Sequence, residues 1–149
     1  MKKLKIFALI LSLLLLVTFI LTACGETETA GAKVVESADD YVVIEAGATG
    51  GSLEDALKAL SDAGELTYDG SESEYGYYLT SVNGREADAS ANEYWAIYTT
   101  LGVYDGVEYS NPEYGTYNYM LTPCSSASYG VSGLPMVEGE LYVIVLESY

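Results

Sequence analysis

The stretch NEYWAIYTT, Asn92 to Thr100, is rich in aromatic and β-branched residues and contains no glycine or proline. Such a run is read as a β-strand, because bulky side chains pack well on a pleated surface. Side chains alternate along a strand, so Tyr94, Ala96 and Tyr98 share one face and Trp95, Ile97 and Thr99 the other. Each face carries large side chains, which predicts a strand covered on both sides. Upstream, YYLTSV (Tyr77 to Val82) runs into Asn83-Gly84, the pair favoured by type I′ hairpin turns because both positions need positive φ. Val34 and Val35, then YVVIE (Tyr41 to Glu45), read as further short strands, as does LYVIVL (Leu141 to Leu146) after a turn at Glu138-Gly139-Glu140. Between them lies the clearest helix. Ser52 can cap it, Asp55 answers three residues on, Leu53, Ala56, Leu57 and Leu60 form one apolar stripe, and Gly64 supplies the stop. One helix packed on short antiparallel or mixed strands is an α+β domain.

Gly102 to Ser128 resists this reading. It holds glycine, proline and five tyrosines without sustained alternation, and is expected to be a long tyrosine-rich insertion with one hairpin around Thr116 to Leu121. Loops beyond ~12 to 15 residues are usually functional or mobile. The chain has fifteen tyrosines, clustered at Tyr75, Tyr77 and Tyr78, at Tyr94 and Tyr98, and at Tyr114, Tyr117 and Tyr119. Tyrosine combines a flat apolar face with a polar tip at low rotamer cost, which suits recognition of an amphipathic ligand or a protein surface. Strand propensity alone is the competing explanation.

The amino terminus reads as a targeting segment. Lys2, Lys3 and Lys5 precede an apolar run, Ile6 to Leu21, closed by Thr22 and Ala23. Leu21-Thr22-Ala23-Cys24 resembles the lipobox of bacterial lipoproteins, in which cleavage before the cysteine leaves its thiol to carry lipid. Residues 1–23 are therefore expected to be a lipoprotein signal peptide, residues 24–39 a lipidated terminus and flexible tether, and residues 40–149 the folded domain. An uncleaved anchor helix fits less well, since the run is shorter than the ~20 residues a span needs. The predicted location is the outer face of a cell membrane, with Cys24 as the lipid-bearing residue.

Loss of residues 1–23 leaves Lys33, Lys58 and Arg85 against 22 carboxylates, a balance of −19. That charge argues against nucleic acid and anionic lipid headgroups as partners. Histidine is absent, which excludes histidine-dependent hydrolysis and removes the commonest transition-metal ligand. No carboxylate pair or calcium loop stands out, so no catalytic residue, metal site or resident cofactor is assigned and the chain is read as a non-enzyme. Cys124 has no basic neighbour in sequence to lower its pKa and is expected to be a small, half-buried side chain.

The helix Ser52 to Ala63, GYYLTSVNG (Gly76 to Gly84), Tyr94-Trp95 with Ala96-Ile97-Tyr98, and GVSGLPMVEGELYVIVL (Gly130 to Leu146) together resemble the transcobalamin-like C-terminal domain family. That family is common in lipoproteins of Gram-positive bacteria and is catalogued as a domain of unknown function. The resemblance spans Tyr41 to Tyr149 and implies a β-grasp-like fold related to soluble-ligand-binding domains. In animal cobalamin carriers the corresponding domain covers one face of the corrin ring. By position, the resemblance makes Trp95 and Tyr98, with Gly130, Val131 and Leu134, candidates for ligand contact; Tyr94, Tyr117 and Tyr119 join them from the tyrosine clusters. Gly102 to Ser128 is longer than the loop those carriers use, and the carriers' second, helical domain has no counterpart here. The expected function is capture of a cobalamin-like or other bulky amphipathic ligand for a membrane importer. The alternative is a non-enzymatic cell-surface module that grips protein or glycan through the tyrosine-rich segment.

Overall fold

The computed structural model describes residues 31–149. The expected signal segment, Cys24 and the expected tether up to Ala30 lie outside the described residues.

The element order is β1 (Ala32–Ser37), β2 (Tyr41–Ala46), α1 (Leu53–Asp62), β3 (Tyr68–Ser73), β4 (Gly76–Val82), β5 (Arg85–Glu86), β6 (Glu93–Thr99), β7 (Val103–Tyr104), β8 (Val107–Glu108), β9 (Ser110–Tyr119), β10 (Thr122–Ala127) and β11 (Leu141–Ser148). Six strands form the main sheet in the order β1-β2-β11-β6-β10-β9. Its ladders are all antiparallel. A smaller sheet, β3-β4-β5, and the hairpin β7-β8 flank it. The α+β class holds. The folded body begins earlier than residue 40, however, because β1 is paired along β2 as an edge of the main sheet.

The helix forms where its signals predicted. Asp55 N–H donates to the Ser52 hydroxyl, and Asp55 Oδ2 accepts from Ser52 N–H at 2.8 Å, closing a capping box. Leu53, Leu57 and Leu60 are fully buried, each stabilising the fold by about 1.5–3 kcal/mol relative to exposure. The two remaining exposed donors of the first turn are met by a distant segment: Leu53 N–H donates to the Leu134 carbonyl at 2.8 Å and Glu54 N–H to the Val131 carbonyl at 3.0 Å. Those bonds pin residues 130–136 against the helix start, where orphan N–H groups would otherwise need water.

Alternation then sorts the main sheet. Val42, Ile44 and Ala46 of β2, Trp95 and Ile97 of β6, and Tyr142, Ile144 and Leu146 of β11 face the helix. Val43, Ala96, Tyr98, Val143 and Val145 face away. The division of β6 is the one its sequence predicted.

The segment 102–128 is the main correction. It is not an irregular insertion: it contributes β7, β8 and the two outer strands β9 and β10. Its hairpin spans Ser110–Ala127 and turns through Met120 and Leu121, both at positive φ, 45° and 68°. Period two is hidden in the sequence because the pairing jumps from Ser125↔Thr116 to Ser126↔Asn111, so residues 112–115 bulge out of β9. Gly115 sits in that bulge at φ 138°, where a Cβ would lie 3.4 Å from the Tyr98 hydroxyl.

Candidate functional site

The bulge creates two environments. In the first, the far end of the β9–β10 hairpin leaves β6 and crosses the sheet face opposite the helix. β10 pairs with β6 only through Ser125 and Ser126. Beyond them, Tyr117 stacks on Tyr98 with centroids 5.8 Å apart. Tyr119 donates its hydroxyl to Glu36 at 2.9 Å, although β9 and β1 are the opposite edges of the sheet. The sheet is therefore coiled until its two edges meet over this face. Tyr41 donates to the same Glu36, and Tyr94 and Tyr98 both donate to Glu147, at 3.0 and 2.9 Å. The two hydroxyls hold Glu36 below the usual carboxylate range. Tyr41 is in turn pushed up to about 12, chiefly by its bond to Glu36, and Tyr98 to about 12, by burial and then by Glu147.

Cys124 lies beneath this cover and is fully buried rather than half-buried. Burial raises its thiol pKa, which makes it inert as a nucleophile. Tyr117 and Tyr119 thus pack over the second sheet face, and neither is among the residues that line the cleft between the two sheets.

The second environment is a cleft of about 360 Å³ between the two sheets. β4 supplies one wall with Tyr77, Tyr78 and Leu79, β6 the floor with residues 94–98, and the other wall comes from Tyr114 in the bulge and residues 126–131. Among the sequence-predicted residues, Trp95, Tyr98, Tyr94, Gly130 and Val131 line it, and Leu134 does not. Leu134 is fully buried in the helix-side core, held there by the bond from Leu53. Trp95 is also 94% buried, 6% exposed, so its ring belongs to the core and offers no broad stacking platform. The surfaces open to a ligand are the rim tyrosines Tyr78, Tyr114 and Tyr129, all exposed. Of these, Tyr129 carried no signal in the sequence; it is held in place by packing on Tyr109, centroids 5.5 Å apart.

Among the described residues no carboxylate or cation lines the cleft, in a chain of net charge −16. The sequence explains this in retrospect, since no charged residue lies between Glu113 and Glu138. Among the described residues no cluster of three or more acidic or thiol side chains is placed to hold a metal ion.

The family described as Domain of unknown function (DUF4430) matches residues 50–99. That span holds α1, the β3-β4-β5 sheet and β6, so it covers the floor and one wall of the cleft and stops before the wall built from residues 114–131. No curated protein matches the chain.

Proposed function

We propose that this is an extracytoplasmic, lipid-anchored, non-enzymatic binding protein that captures a bulky amphipathic ligand in the cleft between β4 and β6 and passes it to a membrane importer. The observation that carries the reading is the uncharged, tyrosine-rimmed cleft on an otherwise strongly acidic chain. Apolar walls with a few convergent polar groups are the usual make-up of a small-molecule site. The match over residues 50–99 supports membership of the transcobalamin-like group and a β-grasp-like arrangement of helix on sheet. A corrinoid is the first candidate ligand, by kinship with the transcobalamin-like group. Anchoring through Cys24 would put the cleft outside the cell, where such a ligand is met.

Trp95 is the sole tryptophan and lines the cleft, so the protein reports its own occupancy. Saturating cobinamide is expected to shift Trp95 fluorescence and raise the melting temperature; no change in either sinks the corrinoid reading. Mass spectrometry of the product made in a lipoprotein-processing host tests the anchor: an intact Met1 with no acyl group on Cys24 would remove it.

A second reading is supported by Tyr78, Tyr114 and Tyr129, which protrude as well as line the cleft. Exposed tyrosines of this kind serve protein or glycan recognition in paratopes, and a cell-surface partner would then occupy the rim.

A further inference from the structure

The floor of the cleft is a strand edge. Thr100 N–H donates to the Leu141 carbonyl at 3.1 Å and Tyr149 N–H to the Asn92 carbonyl at 3.3 Å. In an antiparallel ladder the backbone groups of alternate residues point the same way, so residues 92, 94, 96, 98 and 100 bond β11, while Glu93, Trp95, Ile97 and Thr99 turn theirs to the other side. On that side β10 pairs with Tyr98 and Thr99 alone. Glu93 N–H is taken by the Asp88 carbonyl at 3.0 Å. Among the described residues no strand pairs with Trp95 on that side, and by the alternation its N–H and C=O turn toward the cleft that it lines.

A second observation falls on the same residue. The indole Nε1 of Trp95 is the only buried side-chain nitrogen or oxygen among the described residues with no hydrogen-bond partner. A buried donor without a partner is costly, about 1–3 kcal/mol, and calls for an explanation at the site where it occurs. Trp95 thus turns one backbone donor and one backbone acceptor toward the floor of the uncharged cleft, and holds an unpaired indole donor in the helix-side core.

We propose that the cleft takes an extended, uncharged peptide segment, which adds to β6 as a short antiparallel strand opposite Trp95. The proposal rests on capture in this cleft but not on a corrinoid as the captive. One residue of an antiparallel partner exchanges both of its backbone bonds with the residue it faces, which is what the N–H and C=O of Trp95 together require. Its neighbours alternate to the two sides of the sheet, one toward Tyr77 and Leu79, the next toward Tyr98 and Tyr114. The lining fixes the chemistry of the occupant. With no cation to pair an acidic side chain and 22 carboxylates in the chain, an anionic peptide is repelled and a neutral one with apolar or hydroxyl side chains fits. Edge-strand addition is an established mode of peptide recognition, with affinity from the main chain and selectivity from alternate pockets.

The test is a titration of ¹⁵N-labelled protein with the capped tetrapeptide acetyl-Val-Tyr-Val-Thr-amide, following the backbone amide and indole N–H resonances of Trp95. Binding is expected to move both and to slow hydrogen exchange of the Trp95 amide at least about tenfold. The same peptide N-methylated at its central amides is expected to bind roughly tenfold or more weakly, the scale of one lost hydrogen-bond pair. Tyr78→Ala, at the exposed rim, should weaken binding several-fold with the melting temperature unchanged. Equal binding of the methylated peptide overturns strand addition. So does an inert peptide in a protein whose Trp95 fluorescence still responds to cobinamide, and in that case ligand capture survives. If neither compound moves a cleft resonance, the capture reading falls as well.

Discussion

The two faces of the main sheet are both closed, but by different means. Toward the helix, Val42, Ile44, Ile144 and the leucines of α1 interlock as aliphatic side chains in a continuous core. On the opposite face a hairpin lays Tyr117 and Tyr119 over Val43, Val143 and Val145, and the hydroxyls of Tyr119, Tyr41, Tyr94 and Tyr98 end on Glu36 and Glu147. An aliphatic lid is sealed by packing alone. A tyrosine lid needs a polar anchor for each hydroxyl as it leaves water, and two carboxylates provide it in pairs. Much of the tyrosine content is therefore architectural: Tyr94 and Tyr98 serve both the lid and the cleft, and Tyr78, Tyr114 and Tyr129 stand outside the lid.

The contrast can be broken first on the aliphatic side. Leu57→Ala, at a fully buried helix position, should cost about 2–5 kcal/mol, read as a lowered urea midpoint with unchanged slope. A loss below 1 kcal/mol would mean that the helix is not the principal lid. On the tyrosine side, Tyr98→Phe keeps the ring and removes one of the two hydroxyls on Glu147. The expected loss is about 1.5–3 kcal/mol at neutral pH, the range for a hydrogen bond to a charged group.

The same variant sharpens the comparison in alkali. Tyr98, Tyr41 and Tyr142 are all raised to about 12, above the ordinary value near 10 for an unfolded chain. Between those values the native state holds protons that the unfolded state has released. Their contribution is thus complete below about pH 10 and is lost as pH climbs toward 12. Urea melts across that range, with tyrosinate absorbance followed in parallel, should show stability falling, and Tyr98→Phe should flatten the fall. A native protein whose tyrosines all ionise together near pH 10 would contradict the lid.

The smallest effect belongs to the solvent-exposed side of α1. Lys58 and Asp62 pair at 2.9 Å with both side chains exposed, and exposed i,i+4 pairs are among the weakest contributions to stability. Lys58→Ala should leave the urea midpoint nearly unchanged, and a clear drop would show that the helix depends on its exposed face.

Legibility followed the range of the interactions. The Ser52–Asp55 cap, the leucine stripe and the Asn83-Gly84 turn are decided within four residues, and they could be read directly. So could the division of β6, since alternation is a property of any strand. Of the residues singled out in the sequence, Trp95, Tyr94, Tyr98, Gly130 and Val131 line one cleft, whereas Tyr117, Tyr119 and Leu134 do not.

Sequence alone thus determined the helix, its cap, the central strands and their faces, because each is set by neighbours along the chain. Tertiary structure decided the rest: the bulge at 112–115 that hides the outer strands, the coil that joins Tyr119 to Glu36, and the open edge at Trp95. Each depends on a partner many residues away, and which strand lies beside which leaves no local trace in composition or periodicity.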